Sequence, residues 1–244
     1  MRRYGLIGYP LSHSFSQRYF AEKFAKEGIR NCIYENFPLQ DIGELDTLLK
    51  QENLFGLNVT IPYKKQVLPF LHEMTYGVAE MGACNCITIR DGVLTGHNTD
   101  VAGFQRSLMP FLHSYHDKAL ILGTGGASAA VEFVLKQLQV SCQYVSRNAG
   151  NSAISYTALS PEIMDSYLLI VNTTPLGMYP DTDACPDIPY ELLTPRHHLF
   201  DLIYNPAETL FLAKGKAQGA TVQNGQEMLE LQAEESWKIW NGEA

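Results

Sequence analysis

Lys64 and Asp100 are the side chains of this 244-residue sequence best suited to moving a proton. Lys64 ends the cluster Asn58-Val59-Thr60-Ile61-Pro62-Tyr63-Lys64, and Asp100 ends Asn98-Thr99-Asp100. Each cluster follows an apolar segment, where a chain commonly presents polar groups to a ligand. Lys64 and Lys65 come just after Pro62, so the sequence predicts a helix start there, with the macrodipole set against both cations. A dipole and a like charge favour release of a lysine proton, whereas a partner carboxylate favours keeping it. Such a balance leaves an ammonium able to exchange a proton with an alcohol or ketone oxygen. Asp100 is the natural partner, although an Asp ahead of an apolar helix also serves as an N-cap. Beside a hydride source, a proton donor and its orienting anion are what a carbonyl reduction requires.

Around this pair stand groups open to two readings. Ser14 and Ser16 suit a carboxylate with two hydroxyls two residues apart, or cap the helix that follows. Asn58, Asn85 and Asn98 fall at expected strand ends, where an amide binds ligand hydroxyls or closes a turn. After all of these comes Gly123-Thr124-Gly125-Gly126-Ala127-Ser128, between an expected strand and an expected helix. Such a turn allows close backbone approach and presents a helix N-terminus to a pyrophosphate; the plainer reading is a tight turn. At the end of the next expected strand an NAD site would place an acidic residue, but here Ser146-Arg147-Asn148 stands, Arg147 being 147 − 123 = 24 residues past the first glycine. A guanidinium there suits a 2′-phosphate, so NADP is the expected cofactor; a solvated surface arginine is the alternative.

The elements that must position these groups alternate. Tyr4–Gly8, Cys32–Phe37 and Gly56–Thr60 read as strands, and Arg18–Lys26, with Phe20 and Phe24 four apart and Gly28 beyond, reads as a helix. This predicts a parallel sheet flanked by helices, with an antiparallel edge where Cys86–Arg90 and Val93–His97 bracket the turn pair Asp91-Gly92. From Asp100 a helical run reaches Phe111, and strands are expected at Ala119–Leu122, Cys142–Ser146, Leu168–Asn172, His198–Leu202 and Thr221–Gln223, with a helix over Ser128–Gln139. The polar stretch Asn148–Ser160 has no helical spacing, which gives a shortened Rossmann-type half. The fold class is therefore α/β: an N-terminal mixed α/β substrate domain, residues 1–101 and 222–244, and a C-terminal NADP-binding Rossmann-type domain, residues 102–221. The final helix, Gln226–Trp240, carries Met228, Leu229, Ala233, Trp237 and Trp240 at helical spacing and is expected to return to the first domain. Trp237 and Trp240 read as its buried face or, alternatively, as a homodimer surface.

Composition excludes other classes. Hydrophobic residues make up 45% of the chain, enough for a substantial core. Net charge is −8 and no Lys/Arg run exceeds two, so nucleic acid has no electrostatic footprint, and anionic ligands must be drawn in by local groups. Gly5, Gly8 and Pro10 interrupt the apolar N-terminus, which is expected to be neither signal peptide nor membrane span, so a cytoplasmic location is expected. Five cysteines without zinc or disulfide spacing read as reduced thiols, and no metal is expected.

Taken in order, the motifs resemble those of the shikimate dehydrogenase family over nearly the whole chain: Ser14-x-Ser16, Asn58 to Lys64, Gly82-Ala83-Cys84-Asn85, Asn98-Thr99-Asp100, Asn172-Thr173-Thr174-Pro175-Leu176-Gly177-Met178, Asp201-Leu202-Ile203-Tyr204-Asn205-Pro206 and Gly225-Gln226-Glu227-Met228-Leu229 ending in Gln232. The resemblance implies NADPH-dependent reversible reduction of 3-dehydroshikimate to shikimate, a step of aromatic amino-acid and chorismate biosynthesis, with Lys64 and Asp100 catalytic. It implies that Ser14 and Ser16 hold the substrate carboxylate, that Thr60, Asn85, Asp100 and Gln232 take its hydroxyls, and that Tyr204 lies nearby. Gly123, Gly125, Gly126, Ala127, Ser146, Arg147, Asn148, Thr173, Leu202, Gly225 and Met228 would line the cofactor cleft. Three departures stand out: Gln17 replaces the usual proline after the second serine, the helix after Asn148 is missing, and no second arginine follows Arg147. They keep open a quinate/shikimate enzyme using NAD, and, from another class, a non-catalytic NADP-binding regulator.

Overall fold

The computed structural model describes residues 1–11, 14–148, 150 and 152–243, which form two compact units: Met1–Thr99 with the segment from Ala233 onward, and Asp100–Gln232. In the first unit, β1 (Arg2–Gly8), α1 (Phe15–Lys26), β2 (Cys32–Pro38), α2 (Leu45–Leu48), β3 (Leu54–Val59), β4 (Glu73–Met74), α3 (Tyr76–Met81), β5 (Cys86–Arg90) and β6 (Val93–His97) follow one another. They build one sheet of order β2-β1-β3-β5-β6-β4. β1 runs parallel to β2 and β3, whereas β5 is antiparallel to both β3 and β6. Asp91 and Gly92 both take positive φ (49° and 79°), the backbone that a two-residue hairpin turn requires. The hairpin is not the sheet edge: β4 adds outside it, parallel to β6, with Glu73 opposite Thr95. Two residues are too few to show an alternating pattern, which is why the sequence did not reveal β4.

Alternation along β1 divides the interior. Tyr4 and Leu6 face a core with Phe20, Phe24, Tyr34, Trp237 and Trp240, while Ile7 faces Leu57, Val59 and Ile87. Trp240 stacks on Tyr4 at 4.9 Å between ring centroids and donates its indole N–H to the Ile87 carbonyl at 3.0 Å. Both tryptophans are thus the buried face of the last helix.

Two expected helices are altered by proline. After Pro62 the chain forms consecutive turns from 61 to 67 and then a 3₁₀ turn, Leu68–Phe70, with no α-helix. A helix started at Pro62 would run into Pro69, which lacks the N–H and whose ring would meet the carbonyl of residue 65. The helix dipole expected to act on Lys64 is therefore not built. Likewise α4 (Asp100–Leu108) ends three residues short of Phe111, and Met109–Phe111 is a 3₁₀ turn containing Pro110.

The second unit continues with β7 (Lys118–Leu122), α5 (Gly126–Gln137), β8 (Ser141–Val145), β9 (Ala153–Ile154), α6 (Pro161–Ser166), β10 (Leu169–Asn172), β11 (His198–Asp201), α7 (Leu210–Ala217), β12 (Thr221–Gln223) and α8 (Gln226–Asn241). Its sheet, ordered β12-β11-β10-β7-β8-β9, is parallel throughout. Strand faces alternate cleanly: Ala119 and Ile121 pack with Phe104, Val131 and Met228, and Leu120 and Leu122 pack with Met164, Phe211 and Leu212. Sheets covered on both faces are the normal setting for parallel strands. The stretch after β8 contains β9 and a 3₁₀ turn, Tyr156–Ala158, in place of a crossover helix.

α8 belongs to both units, passing from the second to the first between Gln232 and Ala233 rather than at residue 222. Met228 is in the second unit's core and Trp237 and Trp240 are in the first unit's, so the change falls within one continuous helix. Among the described residues, no helix is long and apolar enough to cross a membrane.

Candidate functional site

In the first unit the polar groups gather at the C-terminal ends of β1 and β3. Ser14 occupies the N-cap position of α1, yet its side chain makes no capping bond; its Oγ is buried without a hydrogen-bond partner among the described residues. A buried hydroxyl left unpaired costs about 1–3 kcal/mol, and no helix-capping bond offsets that cost here. Ser16, in the first turn of α1 and buried, lies near the Tyr34 phenol and acts to lower its pKa. Tyr34 donates to Asn58 Oδ1 at 2.8 Å. Burial raises the Tyr34 pKa, and Ser16 opposes that rise.

Asn58 is a hub, not a ligand group. Its amide N–H groups go to the Asn85 carbonyl (3.3 Å) and to Ser236 Oγ (2.8 Å). Ser236 Oγ lies 3.2 Å from Thr99 Oγ1, and Thr99 N–H donates to Asn85 Oδ1 at 2.6 Å. A continuous buried chain of hydroxyls and amides thus links Tyr34 to Asn85 through Asn58, Ser236 and Thr99. Asn98 donates to the Ala83 carbonyl at 2.9 Å, joining the segments before β5 and after β6. Thr60 follows β3, its N–H bonded to the Ile7 carbonyl at 2.9 Å. Lys64 is half-buried, and its carbonyl accepts from Cys84 N–H at 2.8 Å, tying the turn segment to the residue just before Asn85. Thr60, Lys64 and Asn85 therefore belong to one backbone-bonded rim.

The second unit carries the remaining positions. Asp100 is buried at the first turn of α4, where the helix dipole favours a carboxylate. Tyr204 is half-buried beyond β11. Gln232 is buried on α8 and donates to the Leu229 carbonyl at 2.8 Å.

Parallel register aligns Leu122, Val145, Asn172 and Asp201 along one sheet edge, the carboxyl end of the strands where open α/β sheets bind ligands. From that edge Gly123 leaves β7 with φ +100°, and a Cβ there would meet Thr173 Oγ1 at 3.0 Å and Thr174 Cγ2 at 2.9 Å. At Gly125 and Gly126 a Cβ would meet nothing within 4 Å. Gly125 caps α5 with no side-chain bond, and no acidic residue occupies that helix's first turn. An open, uncapped helix N-terminus with no opposing carboxylate fits a pyrophosphate. Ser128 does not cap the helix; its hydroxyl donates back to the Gly125 carbonyl at 2.6 Å.

Across the edge, Thr173 donates to the Leu122 carbonyl at 2.7 Å. Gly225 accepts no side chain at all, because a Cβ would collide with the Leu202 carbonyl, while Gly225 N–H bonds the Ile203 carbonyl at 2.9 Å. Met228 is buried three residues later. Ser146 Oγ accepts from Asn148 N–H at 3.3 Å, and Arg147 is exposed beyond β8. Gly123, Gly125, Gly126, Ala127, Ser146, Arg147, Asn148, Thr173 and Leu202 all follow the ends of β7, β8, β10 and β11, while Gly225 and Met228 flank the start of α8.

Sequence reasoning missed the supports. Tyr34 looks like any strand aromatic, and Ser236 like any helical serine. Behind the cofactor edge, Asp201 receives hydrogen bonds from Thr209 (2.6 Å), Asn172 (3.0 Å) and Ile203 N–H (3.1 Å), and burial pushes its pKa up to about 6. Asn172 Oδ1 also accepts from the Thr174 N–H and hydroxyl at 3.0 and 2.7 Å. An Asp that ends an otherwise apolar strand was the available signal for this brace. None of the five cysteines forms a disulfide, and the described residues contain no group of three His, Cys, Asp or Glu able to hold a metal ion.

A glycine turn opening onto a bare helix terminus in one unit, and a polar rim in the other, define a dinucleotide-dependent oxidoreductase architecture. The family described as shikimate dehydrogenase substrate binding domain matches residues 6–87. Shikimate dehydrogenase (NADP(+)) of Desulforamulus reducens is 32% identical over 98% of this chain and 89% of its own length, and that of Oleidesulfovibrio alaskensis is 36% identical over 98% and 89%. The Thermus thermophilus shikimate 5-dehydrogenase, crystallised with NADP(H) and shikimate, superposes with a TM-score of 0.88 at 30% identity, covering 99% of this chain and 94% of that one. The chain belongs to the shikimate dehydrogenase family.

Proposed function

We infer that the protein is an NADP-dependent shikimate dehydrogenase, reducing 3-dehydroshikimate reversibly to shikimate in aromatic amino-acid biosynthesis. The observation that carries this reading is the likeness to NADP-dependent shikimate dehydrogenases along 98% of the chain, together with the open glycine turn at Gly125 and Gly126. NADPH, when bound, supplies the hydride. Gly123, Gly125, Gly126 and Ala127 hold its pyrophosphate on the α5 terminus, Ser146, Arg147 and Asn148 hold its adenosine end, and Thr173, Leu202, Gly225 and Met228 line the remaining cleft.

The chain's own groups do the rest. Ser14 and Ser16 bind the substrate carboxylate, the Ser14 hydroxyl having no other partner among the described residues. Thr60, Asn85, Asp100 and Gln232 take ring hydroxyls, with Tyr204 beside them. Lys64 gives its proton to the ketone oxygen as the alcohol forms and takes it back in the reverse direction, and Asp100 orients the ammonium. The test is the absorbance change of NADPH with 3-dehydroshikimate. Turnover supports the reading, and its absence with either nicotinamide cofactor removes it. A ratio of kcat/KM favouring quinate and NAD would instead select the quinate/shikimate alternative.

A further inference from the structure

β9 occupies the place of the missing crossover helix, and it changes what stands next to Arg147. β9 runs parallel to β8 with Tyr144 opposite Ala153 and Val145 opposite Ile154, and Ser146 N–H donates to the Ile154 carbonyl at 2.9 Å. Two parallel neighbours end at the same sheet edge, so Ser155, Tyr156 and Thr157 emerge from β9 alongside Ser146 and Arg147. Ile154 and Tyr156 are anchored in the core with Leu122 and Val145. Ser155 and Thr157, on either side of Tyr156, place their hydroxyls 2.8 Å apart on the exposed side. Burial is the main influence on the Tyr156 phenol and raises its pKa, while the charge of Arg147 acts against that rise. Among the described residues, Asp187 is the acidic group that acts on Tyr156 from the same region.

We propose that Ser155 and Thr157 are specificity-determining residues that, together with Arg147, hold the 2′-phosphate of NADP, doing with two hydroxyls what a second cation would otherwise do. The inference rests on the NADP reading above and adds residues to its adenosine end. An isolated guanidinium pairs with two phosphate oxygens, and the third needs donors from another direction. Whichever of the two hydroxyls donates to the other, one O–H remains for the ligand, and both can turn to a phosphate once it arrives.

The test is calorimetric titration of the full chain with adenosine 2′,5′-bisphosphate and with 5′-AMP, in the native protein, Ser155→Ala/Thr157→Ala, Ser155→Ala/Thr157→Ser and Arg147→Ala. The ratio of the two affinities isolates the 2′-phosphate. The ratio is expected to fall about tenfold in the double alanine variant, to recover in part when serine restores a hydroxyl at 157, and to fall further in Arg147→Ala. The kcat/KM ratio for NADP over NAD should fall in the same order. An affinity ratio in the double alanine variant equal to that of the native protein, with Arg147→Ala collapsing it, overturns the proposal and leaves the NADP reading standing. A native protein that does not distinguish the two nucleotides overturns both.

Discussion

Replacing His198 by phenylalanine should remove a defined part of the protein's acid sensitivity. His198 opens β11, is 1% exposed and lies face to face with Phe111, with ring centroids 5.2 Å apart and planes 7° off parallel. Burial, and secondarily the charge of His116, lower its pKa from 6.5 to about 4. The folded state therefore binds fewer protons than the unfolded state between those two values. Stability from this group is complete above pH 6.5 and is lost as the pH falls towards 4. Linkage gives a loss of about 1.4 kcal/mol at about pH 5.5 and about 2.6 kcal/mol at about pH 4.5. The His198→Phe variant keeps the stack and cannot titrate. Urea unfolding of both proteins across this range should show the native protein losing more stability than the variant by these amounts. His116 and His197, whose burial also lowers their pKa values, contribute with the same sign, and Asp201, raised to about 6, with the opposite one. All three are common to both proteins, so the difference isolates His198. Parallel stability curves for native and variant would refute a buried neutral imidazole.

Three further outcomes follow from the sites. Lys64→Ala should lower kcat by orders of magnitude with a modest change in KM in steady-state assays, because a proton moved only in the transition state contributes little to binding; near-native kcat would remove Lys64 from the proton path. Tyr34→Phe should lower stability by about 1–3 kcal/mol in urea titrations, since Asn58 Oδ1 loses its donor inside the first unit; an unchanged midpoint would mean that the Tyr34-to-Asn85 chain is not coupled. In Gly225→Ala the new methyl meets the Leu202 carbonyl, so the turn before α8 must shift; calorimetry should show NADP binding weakened more than tenfold, and native affinity would show that the backbone yields freely.

Much of the fold was legible because periodicity and punctuation are local. Phe20 and Phe24 buried four apart on α1, the Asp91-Gly92 turn, and the alternation of strands with helices all survive in the structure. Failures came where a distant residue or a very short element decided. Pro69 prevents the helix expected after Pro62, and the two-residue β4 takes the sheet edge expected for the hairpin. The site divided along the same line. Residue types and order singled out Ser14, Ser16, Lys64, Asp100 and the glycine turn as candidates, since chemistry restricts which side chains can serve.

The sequence by itself determined the kinds of groups present and their order along the chain: hydroxyls, amides, one ammonium and one carboxylate before a glycine turn, with Arg147 after it. Tertiary structure alone decided which of them are supports. It turned Asn58 into a buried hub, left the Ser14 hydroxyl unpaired among the described residues, braced Asn172 with Asp201, and paired β9, the strand just before Ser155, with β8, the strand just before Ser146. A hydroxyl or amide reads the same in sequence whether its partner is a neighbouring strand or a ligand. Burial and the geometry of its hydrogen bonds, set by residues far along the chain, distinguish the two.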